Sequence, residues 1–171
     1  MNKLSLLCAA GVLVAALASA PAAAAPVPAN ADGKATILIP LKLTKVQDLN
    51  FGTVVTSAAS GQVVVDPSSG LATPSGGVTV VGTTSTAAQF DFAGTANQQV
   101  NFSISSSLPI LLSDGAGNTL PLTALNLSAA TGTVDPTSLT VQVGVGGTID
   151  VNANQMDGTY TGQFDVTADY N

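Results

Sequence analysis

Ten aspartates, four lysines, two tyrosines and one cysteine make up the whole titratable side-chain chemistry of this 171-residue chain, which has no His, Glu, Arg or Trp. Acid–base and nucleophilic catalysis needs groups that titrate, or can be activated, near neutral pH. Cys8 lies inside an N-terminal apolar stretch and reads as one more apolar residue there. It sits too early, with no small residue ahead of it, to be a lipid-anchoring cysteine. Asp66, Asp114, Asp135 and Asp157 fall in turn-like clusters, and Asp165 and Asp169 fall at alternate positions of an extended segment. These are structural places. A two-aspartate hydrolase would need an Asp-Thr-Gly-like motif, and none is present. Asp114-Gly115-Ala116-Gly117-Asn118 lacks the alternating oxygen ligands and closing Glu of an EF-hand, so it reads as a hairpin loop. Gly144, Gly146 and Gly147 lie between strand patterns, not ahead of a helix, and hold no nucleotide. The composition therefore predicts a protein that is not an enzyme and uses neither cofactor nor metal.

Met1–Lys3 is basic, Leu4 to Ala20 is almost continuously apolar, and small residues run on to Ala25. These are the three parts of a secretory signal peptide. The apolar part is too short and alanine-rich for a membrane span, which needs about 20 strongly apolar residues. We expect cleavage after Ala24, export to the periplasm and then to the cell surface or medium, and no membrane span in the remaining chain. That remainder carries Lys34, Lys42 and Lys45 against ten aspartates and has no cysteine. An acidic surface argues against nucleic acid, which needs clustered Lys and Arg. Without a disulfide, stability must come from apolar burial and ladder hydrogen bonds.

Residues 25–34 contain Pro26, Pro28 and Gly33 and read as a flexible lead. From 35 to 171 the texture becomes short β-branched runs between turn clusters, with no sustained helical period. The pattern predicts one all-β domain, an immunoglobulin-like β-sandwich of roughly 7–9 strands with hairpin and Greek-key connections. The expected strands are 35–46, 49–55, 62–65, 78–81, 88–92, 99–105, 110–113, 119–122, 125–127, 139–145, 148–152 and 159–170. Asp66-Pro67-Ser68-Ser69-Gly70 is an expected turn, and Gly146-Gly147 an expected tight hairpin turn.

Two segments carry more than fold. In the last, Tyr160, Gly162, Phe164, Val166, Ala168 and Tyr170 share one face, while polar residues occupy the other. Burying its large members is worth about 1.5–3 kcal/mol each. A self-contained core strand would show the same alternation. In the first, Ile37, Ile39, Leu41 and Leu43 alternate in the same way, interrupted by Pro40, and Leu49-Asn50-Phe51-Gly52 follows. An edge strand completing its own fold accounts equally for that pattern.

The C-terminal segment resembles the end of chaperone–usher pilins, which have an alternating strand, a glycine fourteen residues from the end and a penultimate tyrosine. Gly158 and Tyr170 stand at those places. The stretch from Ala35 to Gly52, with the Tyr-Asn ending, is also similar to an uncharacterised family of small bacterial secreted proteins with an LNFG element. The pilin resemblance implies a fimbrial or coat subunit that lacks one strand and borrows it from a neighbour. It also implies a periplasmic chaperone, an outer-membrane usher, and identical or related subunits as partners. Gly158, Tyr160, Phe164, Val166 and Tyr170 would then form the subunit- and chaperone-interaction strand. Residues 35–43, with Ile37, Ile39, Leu41 and Leu43, would be the donor strand. The chain departs from many pilins in having no disulfide. The alternative is a monomeric secreted β-sandwich with a binding or adhesive role, such as carbohydrate binding, although with no Trp and only two tyrosines sugar-stacking platforms are scarce.

Overall fold

The computed structural model describes residues 25–171; the expected export signal over residues 1–24 lies outside them. Among the described residues there is no helix, and the chain is an all-β sandwich. Twelve strands form: β1 Lys42–Gln47, β2 Thr53–Val55, β3 Gly61–Val65, β4 Ala72–Gly76, β5 Thr79–Val81, β6 Ala88–Ala93, β7 Gln99–Ile104, β8 Ile110–Ser113, β9 Thr119–Leu127, β10 Thr131–Thr133, β11 Thr140–Val151 and β12 Val166–Tyr170. That exceeds the seven to nine expected because several are three-residue edge pieces. One is β10; the two-stranded β2–β5 ribbon supplies two more.

The largest sheet runs β1-β6-β11-β3-β4, with β9 also on β11 and β8 on β9. A second sheet runs β10-β7-β12. Alternation sets the core as the sequence implies. Ala88, Phe90 and Phe92 of β6 and Val100 and Phe102 of β7 point inward, with polar residues between them. Phe92 and Phe102 join the two sheets, with ring centroids 4.8 Å apart. Val134, Val143, Val145 and Val166 fill the space around them.

Three expectations are corrected. First, Gly146-Gly147 is not a turn: β11 passes through it unbroken, paired with β6 over Thr140–Val145, with β9 over Val145–Ile149 and with β3 over Gly147–Val151. Glycine in a strand marks close backbone approach. A methyl group on Gly144 would lie 2.0 Å from the Pro67 carbonyl oxygen, and one on Gly146 2.2 Å from that of Val65. Second, the N-terminal strand starts at Lys42, not at residue 35. Pro40 supplies no N–H to a ladder, and residues 25–41 belong to no strand. Third, only Val166–Tyr170 of the final stretch is a strand, and Leu125–Leu127 is the end of β9 rather than a strand of its own. β4 was hidden because Ala-Thr-Pro-Ser-Gly looks like a turn. It tolerates Pro74 as an edge strand paired only with β3.

Candidate functional site

The body Thr36–Asn171 contains an apolar groove of about 900 Å³. Its floor comes from three strands: Leu112 of β8, Leu120 and Leu122 of β9, and Ile149 and Val151 of β11, all buried. The LNFG element builds one wall. Asn50 exchanges two backbone hydrogen bonds with Thr86, both 2.9 Å, and its Oδ1 accepts the Gly52 N–H at 2.8 Å. Gly52 takes φ +79°, a conformation glycine adopts without strain. This turn puts Leu49 and Phe51 against the core, and Val54 of β2 extends the wall.

The other wall is the stretch from Met156 to Phe164. Gln155 Nε2 donates to the Thr119 carbonyl (3.1 Å) and to Tyr160 Oη (2.9 Å). Tyr160 Oη in turn donates to the Met156 carbonyl at 2.8 Å. Thr161 exchanges two backbone bonds with Ser113, both 2.9 Å. Gly162 lies so close to Leu112 that an added methyl would fall 2.6 Å from its Cδ2. Phe164 meets Phe90 edge to face, with centroids 6.3 Å apart.

Gly158, Tyr160 and Phe164 therefore line the groove. Val166 is buried in β12 below it, and Tyr170 stands at the far end of that strand. The odd positions from Thr159 to Asp169 are all exposed, so the two faces of the stretch separate as the alternation requires. The four N-terminal residues differ in their placement. Ile37 (91 % exposed) and Ile39 (55 %) lie ahead of the first strand. Leu41 packs against the core, and Leu43 sits in β1 opposite Phe92. Sequence reasoning missed the floor, whose members come from three separate strands.

The groove lining holds two carboxyls and one phenol. Its charged lining is Asp48 and Asp157, and the Tyr160 hydroxyl is already committed. The carboxyls held below the usual carboxylate range sit in turns. Asp114 is lowered first by the Asn118 side-chain amide and then by the Ala116 N–H. Asp66 is lowered by the N–H and hydroxyl of Ser69 and the Ser68 N–H, and Asp135 by the N–H groups of Ser138 and Thr137. Among the described residues no three His, Cys, Asp or Glu gather as metal ligands, and no helix is long and apolar enough to cross a membrane.

Fold and groove together define a disulfide-free β-sandwich with an open apolar channel beside its C-terminal strand. Residues 41–170 match the family described as a domain of unknown function, DUF4402, and the chain belongs to that family. No curated protein and no solved structure matches the chain.

Proposed function

We propose that this chain is an exported, non-catalytic structural subunit of a bacterial surface filament or coat, assembled by strand complementation between subunits. The observation that carries this reading is the apolar groove, which ends where β12 begins. Leucine, isoleucine and aromatic side chains line it, and no segment of the body runs through it. An extended segment with apolar side chains at alternate positions matches such a channel, because those side chains point one way along a strand. The same chain carries such a segment ahead of β1, with Ile37 and Ile39 exposed. A periplasmic chaperone that covers the groove before assembly, and an outer-membrane usher, are the partners this reading requires.

The test is assembly. Residues 25–171 should form concentration-dependent oligomers in size-exclusion chromatography and fibres in negative-stain images. Removing residues 25–38 should abolish both. A monomer unchanged by that removal would sink the reading. A second reading has the groove's size behind it: about 900 Å³ lies within the range of small-molecule pockets. A monomeric secreted binding protein would then take an apolar ligand there, and calorimetry with such ligands would show saturable heat.

A further inference from the structure

Three aspartates of the chain are followed directly by glycine: Asp32, Asp114 and Asp157. Asp32–Gly33 lies ahead of the body Thr36–Asn171, and the other two pairs belong to it. An Asp-Gly pair can rearrange its own peptide bond. The glycine nitrogen attacks the aspartate side-chain carbonyl carbon, a C–N bond forms, a C–O bond breaks, and water leaves as a five-membered imide closes. Glycine has no side chain to block that approach. Water then opens the ring. Opening at the former main-chain carbonyl reroutes the backbone through the side chain and leaves isoaspartate. One water leaves and one returns, so no oxidant, reductant or other reagent is consumed. Ring closure needs a carboxyl able to turn back on its own main chain and a glycine N–H that is not tied elsewhere.

The two pairs of the body touch. A methyl on Gly158 would lie 3.3 Å from Asp114 Cβ and 3.6 Å from Asp114 Oδ2. They share one neighbourhood, yet their bonding is opposite. Asp114 Oδ1 accepts the N–H of Ala116 (2.8 Å) and of Asn118 (3.0 Å), and Oδ2 accepts Asn118 Nδ2 (2.6 Å). The Gly115 N–H donates to Ser113 Oγ (3.1 Å). These bonds turn the Asp114 carboxylate toward residues 116 and 118 and occupy the nitrogen that would attack it. They also hold it ionised, and a carboxylate accepts a nucleophile poorly. Asp157 and Gly158 are both exposed. Among the described residues, neither the Asp157 carboxyl nor the Gly158 N–H makes a hydrogen bond.

The open pair sits in the groove wall, inside the turn that Tyr160 Oη closes on the Met156 carbonyl (2.8 Å). Rearrangement makes the backbone of that turn one atom longer. The next fixed point is the exchange of backbone bonds between Thr161 and Ser113, the one bridge that this stretch makes to a sheet. The added length therefore falls where the wall is held by few bonds. Net charge does not change, because the released main-chain carboxyl replaces the side-chain one.

We propose that Asp157–Gly158 is the isoaspartate-forming site of the body, and that its conversion loosens the groove wall from Met156 to Thr161. The fold protects Asp114 and leaves Asp157 open, although both precede glycine. The inference is independent of what the groove takes, a strand or a small ligand.

The experiment ages residues 25–171 in warm, mildly acidic buffer. Samples are then unfolded and digested with a protease that cuts ahead of aspartate but not ahead of isoaspartate, and the cuts are read by mass spectrometry. Cutting ahead of Asp157 should fade about tenfold faster than cutting ahead of Asp114, since freeing a hydrogen-bonded carboxylate costs about 1.4 kcal/mol or more. Ageing in denaturant should bring the two rates together. Asn118→Ala, which strips Asp114 of its amide partner, should raise the Asp114 rate toward that of Asp157. In the aged folded chain, hydrogen exchange at the Thr161 amide should quicken about fivefold, the worth of one lost hydrogen bond. Asp157→Glu, whose ring closure is unfavourable, should age without that change. Persistent cutting ahead of Asp157, equal fading at both aspartates in the folded chain, or a difference that survives denaturant would overturn the site. Conversion of Asp157 with Thr161 exchange unchanged would overturn the loosening of the wall.

Discussion

The C-terminal stretch contains two halves with the same alternating pattern and different fates. Val166–Tyr170 is a strand, paired residue by residue with β7 from Ile104 to Val100. Residues 158–164 alternate just as clearly, yet their backbone pairs with the sheets through a single bridge between Thr161 and Ser113. Each half has a tyrosine whose hydroxyl makes two kinds of bond, one received and one given. Tyr160 ties to Gln155 and Met156, five and four residues away. Tyr170 ties to Thr95 and Ile39, joining the two ends of the body across 131 residues. Alternation makes a strand only where another backbone stands ready to pair. Where none does, it makes the wall of a groove.

Removing what the ordered half packs on should cost most. Phe102 is 5 % exposed and stands in β7 opposite Ala168. Phe102→Ala should cost about 3–5 kcal/mol in urea denaturation. Phe164→Ala, in the open half, should cost less, about 1–2 kcal/mol, because Phe164 is only half-buried and gives up one edge-to-face contact. If instead the open half is sealed in the working state, Phe164→Ala should damage assembly far more than monomer stability.

The two hydroxyls separate the halves more finely. Tyr160→Phe and Tyr170→Phe should each lose about 1 kcal/mol. By hydrogen exchange, the first should loosen amides 155–162 and the second amides 95 and 39. Equal loosening at both sites in either variant would show that the halves open as one unit.

The smallest effect should appear at low pH. The Asp114 loop packs against Gly158, whose added methyl would lie 3.3 Å from Asp114 Cβ. Its carboxyl is held low in the folded chain by Asn118 and Ala116. A lowered folded value contributes stability that is complete above the unfolded value, about 3.9. That contribution is lost as pH falls through the lowered one. Exchange at Thr159–Thr161 should therefore accelerate below about pH 4 while β12 is unchanged, and Asp114→Asn should bring part of that acceleration to pH 7.

Turns were legible because their chemistry is local. Asp66 and Asp135 each accept two N–H groups from the residues two and three places on, in Val-Asp-Pro-Ser-Ser-Gly and Val-Asp-Pro-Thr-Ser-Leu. Both turns close the same way, Gly70 N–H on the Asp66 carbonyl and Leu139 N–H on that of Asp135. The last place takes positive φ in both, with Gly70 in the first and Leu139 in the second. The glycines of β11 were misread because a glycine's lack of a side chain serves a turn and a tight crossing equally. Only the Val65 and Pro67 carbonyls lying over Gly146 and Gly144 distinguish them. The groove was half legible. Tyr160 and Phe164 follow from the alternation, but Leu112, Leu122 and Ile149 could not be assigned to a shared surface before their strands were placed. Thr95 looked like any loop threonine until Ile39 and Tyr170 were brought to it.

Period-two alternation and turn residues are properties of neighbours along the chain. The sequence alone therefore determined an all-β body, the inward face of residues 160–170 and the positions of its aspartate turns. Pairing depends on a backbone supplied from elsewhere in the chain. Tertiary structure alone decided that β11 runs straight through its glycines, that β1 begins only after Pro40, and that half of the last alternating segment borders an open apolar groove.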